Sequence, residues 1–417
     1  MEIKRDRYLH ALIDRMHNGM IKVVTGLRRV GKSYLVFHLF RDHLLAQGVP
    51  PSHIISVAFD DRRYRAYRDD PDALLAHIET SMTEDGMYYV LLDEVQMMTD
   101  FEDVLNSLLH IAHVDVYVTG SNSRFLSKDV LTAFRGRGDE VHVFPLTFAE
   151  FMQVYDGDVY HGWADYMLYG GLPLQVMMKS EEQKVAYLTR LFEETYLKDI
   201  IERHHITKTQ ELDDLVNVLA SAIGSLTNVP KIEATFKSVL HSRISANTIR
   251  QYMDYLEDAF LISKAMRYNV KGRRYIGTPV KYYFEDVGLR NARLGFRQIE
   301  APHLMENIVY NELRSRGYSV DIGVVEKRTT TDGKSVRQQL EIDFVANLGS
   351  RRYYIQSAFA MPTPEKREQE RRSLQQIGDS FKKIIIVGDV TNVTRDDAGI
   401  TTMSIYDFLL RENSLEL

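Results

Sequence analysis

Cysteine is absent from all 417 residues. That absence excludes disulfides, thiolate zinc sites and cysteine nucleophiles together, and it suits a reducing cytoplasm. Long apolar runs are missing too: no stretch approaches the ~18 residues of a membrane span. Met1 to Arg7 is not followed by an apolar core of signal-peptide length. A soluble, cytoplasmic protein with no membrane partner is expected. Positive charge is also scarce, since 52 Lys and Arg against 58 Asp and Glu leave a net −6. Nucleic acid therefore gains no global attraction, and any contact with it must come from a local basic patch. What is present is ordinary globular composition, 44% hydrophobic and 26% charged, in a chain long enough for two or three domains.

The run Gly26-Leu27-Arg28-Arg29-Val30-Gly31-Lys32-Ser33 fulfils the four fixed positions of a phosphate-binding loop. Residues 21–25 before it read as a buried strand. Tyr34 and the six residues after it carry apolar side chains at helical spacing, so the context is strand, loop, helix. Gly26 and Gly31 let the backbone turn until successive N–H groups face phosphate oxygens, and the helix N-terminus adds partial positive charge. Lys32 is expected on the β- and γ-phosphates, and Ser33 on Mg2+.

A second apolar strand, residues 88–92, ends in Asp93 and Glu94. Asp93 at the carboxyl edge of a parallel sheet would hold the magnesium shell. Glu94 is placed to polarise the attacking water, as a carboxylate ionised at neutral pH can. Residues 53–59, 115–120 and 141–146 read as three more strands. Asn122, just past the fourth, is the candidate for sensing the γ-phosphate, against the plainer reading of a turn rich in Gly, Ser and Asn. Arg135 and Arg137, before the fifth, are candidate arginine fingers, acting in their own chain or on a neighbour in a homo-oligomer; the alternative is ordinary surface arginines.

With the loop, the Leu91-Leu92-Asp93-Glu94-Val95-Gln96 strand end, Thr119-Gly120-Ser121-Asn122-Ser123 and Tyr169-Gly170-Gly171-Leu172-Pro173, the chain resembles the AAA-type P-loop ATPases of bacteria and archaea that carry a C-terminal domain of unknown function. The resemblance runs the whole chain and is strongest over the first ~200 residues. It implies ATP with Mg2+, an ATPase activity, and a Gly-x-Pro lid element that brings Gly171 and Pro173 toward the nucleotide. The expected fold class is α/β: a P-loop core with a five-stranded parallel sheet over residues 1–147, then a helical lid over 148–205.

Residues 206–298 resemble a winged helix. Two short helices precede a third, opened by Ser245, and a hairpin follows. Asn247, Arg250 and Gln251 would face a DNA groove. The hairpin interleaves Lys264, Arg267, Lys271, Arg273, Arg274 and Lys281 with Tyr268, Tyr275, Tyr282 and Tyr283, a mixture suited to phosphate contact and base stacking. The competing reading is a protein-contact module for an unidentified protein partner. Residues 299–417 resemble a restriction-endonuclease fold, with Glu306 on its first helix, Asp343 on a central strand and Gln356 on the next. Ala358 stands where active members of that fold carry lysine, so a structural or recognition domain is favoured over a nuclease. The leading expectation is an ATPase or ATP switch. A DNA-binding regulator with structural ATP, and an active nuclease, are the alternatives.

Overall fold

The computed structural model describes residues 3–120, 136–242, 244–331 and 334–417. Asn122 and Arg135 lie outside them. The chain divides into two compact units, residues 1–145 with 258–260, and residues 146–257 with 261–417.

The first unit is built on five parallel strands: β1 (Ile21–Thr25), β2 (Ile54–Ala58), β3 (Tyr88–Asp93), β4 (Val114–Thr119) and β5 (Gly138–His142), in the order β2-β3-β4-β1-β5. Every residue of β1 and β3 is buried, which accounts for their largely apolar sequences. On one face Val23, Val57, Val90, Leu92 and Val118 pack under Leu74 and Ile78 of the helix Pro71–Ser81 and under Leu105 and Leu108 of the helix Phe101–Leu108. On the other face Phe40, from the helix that follows the phosphate loop, meets the Tyr117 ring at 4.3 Å. Inside the sheet the buried Lys22 ammonium bonds Asp115, which also accepts from the Tyr117 hydroxyl at 2.8 Å.

Two elements of this unit depart from expectation. The fifth strand starts three residues earlier than its apolar run and ends at His142, because pairing with β1 reaches back to Gly138. The helix after the loop is α-helical over Lys32–Tyr34 and Arg41–Ala46 but widens to i→i+5 bonding over Leu35–Phe40.

The second unit begins with helices, including Phe148–Met152, Val159–Tyr169 and a long run from Glu181 to Arg203. Thr209–Ser221, Val229–Ser238 and Ala246–Asp258 follow. The Ser245 hydroxyl accepts from Thr248 N at 3.1 Å and caps the last of these. Then come eight strands: β6 (Ile262–Asn269), β7 (Arg274–Phe284), β8 (Ser319–Thr331), β9 (Lys334–Leu348), β10 (Arg351–Ala358), β11 (Lys382–Val387), β12 (Thr394–Arg395) and β13 (Ile400–Ser404). They form one sheet, β12-β13-β11-β10-β9-β8-β6-β7. The division at 298/299 is therefore not a break in the structure. The β6–β7 hairpin joins the C-terminal strands because Arg267, Tyr268 and Asn269 pair in parallel with Ile322, Gly323 and Val324. A charged helix covers Pro364–Leu374. His204 is half-buried with its ring stacked on Tyr255 at 3.5 Å.

Candidate functional site: the phosphate loop and the carboxyl edge of the sheet

Gly26 and Gly31 adopt φ of 132° and 96°. At Gly26 a Cβ would come 2.2 Å from the Val143 carbonyl oxygen, so the loop can turn away from β5 only with glycine there. Arg29 also takes a positive φ, 68°, which its residue type does not advertise. Leu27 and Val30 are fully buried and anchor the loop from beneath, while Arg28 is half-buried and Arg29 exposed. Arg5 braces it from behind, donating to Val30 O at 3.1 Å and Phe144 O at 2.7 Å. Lys32, 5% exposed, donates to Gly26 O at 2.9 Å and Leu27 O at 2.8 Å, which holds its ammonium in the mouth of the loop. Ser33 and Tyr34 open the helix and are exposed.

Sheet order decides what meets this loop. β4 lies between β3 and β1, so the end of β4 bridges the β3 acid and the loop. The Ser33 hydroxyl donates to Asp93 Oδ1 at 2.9 Å, and the Thr119 hydroxyl bonds the same oxygen. Burial pushes the Asp93 carboxyl above its ordinary value, with the two hydroxyls opposing. Glu94 sits at φ 53°, where the chain leaves the strand; its N–H donates to Thr119 Oγ1 at 3.2 Å and its carboxylate is held by the Gln96 amide. Thr119 and Gln96 were given no role by the sequence, although both lie in the motifs that carry the resemblance; one is the last residue of a strand beside β3 and the other stands two residues past Glu94.

Arg137 lies elsewhere. Its carbonyl accepts from Ile21 N at 2.8 Å, and Gly138 pairs with Ile21, so it sits at the amino edge of the sheet. The loop leaves the opposite edge after Thr25, ~13 Å away along four strand residues. The exposed Arg137 is thus not brought to its own chain's Lys32 and Asp93.

Gly171 and Pro173 belong to the second unit. Gly171 N donates to Asp286 Oδ2 at 2.8 Å, Leu289 N to Asp286 Oδ1 at 2.9 Å, and Gln175 Nε2 to Gly170 O at 2.7 Å. Pro173 opens the short helix Pro173–Val176, where a missing N–H costs nothing. Asp286 is 1% exposed, and burial raises its carboxyl to about 6 against the three backbone donors that favour its charge. Because the folded state holds this proton more tightly than the unfolded one, stability is lost as pH rises from about 4 to about 6, by at most about 3 kcal/mol, and is level above that. Asp286→Asn should remove this component: thermal melts at pH 4.5 and pH 7 should show the wild type losing stability relative to the variant as pH rises. A pH-independent difference between the two would assign the carboxyl an ordinary value.

The second unit gathers a different cluster. Lys281 on β7 is 4% exposed on its side chain; its ammonium donates to Glu306 Oε1 at 2.9 Å and to Glu341 Oε1 at 2.7 Å. Tyr283 OH donates to Glu306 Oε1 at 2.6 Å, and Ser357 N to Asp343 Oδ2 at 2.8 Å. Burial opposes the Lys281 charge, yet Glu306, Asp343 and Glu341 raise it above the ordinary lysine range; burial and the Glu306 charge together push Asp343 well up. Gln356 accepts from the Ser373 hydroxyl at 3.4 Å. Among the described residues no group of three or more His, Cys, Asp or Glu is disposed to hold a metal.

This corrects the reading of the hairpin. Arg267, Lys281, Tyr282 and Tyr283 are all buried and cannot meet a nucleic acid. Alternation along β7 is lost at its end, where both faces are covered.

A family model for an AAA domain matches residues 18–152, and one for a domain of unknown function (DUF8612) matches residues 160–300. An uncharacterised protein of Haemophilus influenzae is 34% identical over 416 residues, 98% of this chain and 99% of the relative. An uncharacterised protein of Methanocaldococcus jannaschii is 25% identical over 410 residues, 95% of this chain and 86% of the relative. Among solved structures, the Walker-type ATPase of Pyrococcus abyssi is 13% identical, with a TM-score of 0.49 over 70% of this chain and 96% of that one.

Proposed function

Since the chain belongs to the P-loop AAA-type family in which an AAA domain precedes a domain of unknown function, we infer that it binds ATP with Mg2+ and hydrolyses it, using the nucleotide state to switch its C-terminal unit. The observation that carries this reading is the convergence of Lys32, Ser33 and Asp93 at one sheet edge, with Glu94 oriented beside them. The donors fit magnesium, since a hydroxyl and a carboxylate oxygen 2.9 Å apart are the hard ligands that ion takes. Ser33 and Asp93 would hold it, and when bound it would offset charge on the phosphates. Backbone N–H groups of the loop and Lys32 bind and orient the triphosphate. Glu94, its carboxylate steadied by Gln96 and its backbone by Thr119, takes a proton from the attacking water. Asn122 is kept as the residue that senses the γ-phosphate, and Gly171 with Pro173 as the lid element facing the nucleotide.

Arg137 can serve this reaction only on a neighbouring copy, because of its place at the amino edge of its own sheet; Arg135 is proposed for the same role. Mg2+-dependent ATP hydrolysis per protomer should accordingly rise with protein concentration. An Arg137→Ala variant should regain activity when mixed with Glu94→Gln, each supplying what the other lacks. Turnover that is independent of concentration, with no rescue on mixing, would remove the arginine from catalysis. The same family membership and the closed Lys281 cluster favour a C-terminal unit that recognises a partner over one that cleaves nucleic acid.

A further inference from the structure

With Arg267 and Lys281 drawn inside, the remaining cations of the hairpin are not scattered. Lys271, Arg273 and Arg274 are exposed around the β6–β7 turn. Lys271 and Arg274, with Lys327 from β8, line a cleft of about 700 Å³ whose other walls are Asn269, Gly272, Glu326 and Gln376. The turn is held in place: Asn269, 6% exposed, accepts from Gly272 N at 2.7 Å through its side chain and pairs along its backbone with Val324 of β8. The Lys271 ammonium reaches the Glu326 carbonyl at 3.4 Å, which keeps it over the cleft.

Several cations of this unit are matched, as in Arg293–Asp213, Arg316–Glu312 and Arg371–Asp396, each at 2.6 Å. None of Lys271, Arg273, Arg274 and Lys327 forms an ion pair with a carboxylate among the described residues, although Glu326 lines the same cleft. In a chain of net charge −6, four such cations from two separate segments amount to a local positive patch. Among the described residues the lining is polar and holds no aromatic or large aliphatic side chain. Protein-binding sites centre on aromatic and apolar anchors, whereas sites for nucleic acid are polar, positive and built to contact phosphate. Arginine and lysine together match that chemistry.

We propose that this cleft binds the phosphate backbone of a nucleic acid, and that the contact is made by the hairpin turn and β8 rather than by the helix Ala246–Asp258. On that helix Arg250 donates to Asn247 Oδ1 at 2.9 Å and Gln251 to the Tyr255 hydroxyl at 2.6 Å, so its polar groups already engage one another. The cleft belongs to the second unit and the nucleotide loop to the first. Lys32→Ala should leave the cleft intact, so failure here and failure of the ATPase reading can be told apart.

The experiment is fluorescence anisotropy of a labelled DNA duplex and a labelled single strand, titrated with the full chain from 50 to 300 mM salt. The expected result is salt-dependent binding. Lys271→Glu/Arg274→Glu should weaken it roughly tenfold or more and lower the slope of log affinity against log salt by about 2, because each residue neutralises about one phosphate. Lys327→Glu, alone, should act in the same direction by about half as much on the slope. Arg250→Ala should bind like the wild type. Basal ATP hydrolysis of the hairpin variants should be unchanged, and the fluorescence of Trp163, in the same unit as the hairpin, should show that this unit folds. Wild-type binding absent even at 50 mM salt, undiminished binding by the charge-reversed hairpin, or loss confined to Arg250→Ala would each overturn the proposal. So would competition by poly-glutamate as effective as competition by unlabelled DNA, because an acidic protein would then be the occupant.

Discussion

Lys32→Ala should abolish or greatly weaken ATP binding, whereas Glu94→Gln should bind ATP and turn it over roughly 100-fold or more slowly. The two residues sit at one sheet edge but do different work. The Lys32 ammonium, 5% exposed, is the single buried cation in the mouth of the loop among the described residues of that segment. Removing it deletes the one side-chain cation the loop offers the β- and γ-phosphates and leaves their charge to the backbone dipoles and the magnesium that Ser33 and Asp93 would hold. Glu94→Gln preserves the shape of the site and the Thr119 contact to its backbone, and it removes only the basic oxygen. A 100-fold loss corresponds to about 2.7 kcal/mol of barrier, within the range for one general base. Nucleotide binding measured by equilibrium dialysis, and hydrolysis by phosphate release, separate the two effects. Equal loss of binding in both variants would contradict the division of labour between the ammonium and the carboxylate.

Lys281→Met should destabilise the C-terminal unit by about 3–5 kcal/mol, since deleting one partner of a buried ion pair strands the other. Here Glu306 is stranded beside an already crowded Asp343, and the partly exposed Glu341 loses the same partner. Adding Glu306→Gln should recover part of the loss, because a neutral amide no longer needs the ammonium. Trp163, the only tryptophan, lies in the same unit and reports its unfolding by fluorescence in denaturant. Strictly additive penalties for the two substitutions would mean that Lys281 and Glu306 are not coupled. The same geometry bears on chemistry. The carboxylates already accept from an ammonium, a phenol and a backbone N–H, so the purified protein should leave DNA and RNA intact with Mg2+ or Mn2+. Cleavage that disappears in Asp343→Ala would overturn that expectation.

The nucleotide edge was legible in the sequence for a local reason. Gly26, Gly31, Lys32 and Ser33 act through the backbone of one short loop, and Asp93 through the end of one apolar strand, so neither requires knowledge of distant neighbours. Thr119 was not legible as a partner of Asp93, because only the strand order puts the end of β4 between β3 and β1. Arg137 shows the same dependence: its spacing before a strand suggested a finger, but the pairing of Gly138 with Ile21 sets it at the far edge. The hairpin is the sharpest case. Lys271, Arg274 and Lys281 are the same kind of residue in one basic, tyrosine-rich stretch, and nothing local distinguishes them. Burial does, since β7 runs under the helix Ala301–Ser315 and delivers Lys281 to Glu306, while the turn stays in solvent. Composition and short motifs determined that this chain has a P-loop core and where its phosphates would lie. Which cations are spent inside and which remain to meet a partner was decided only by long-range packing, because the cost of burying a charge depends on carboxylates far away in the chain.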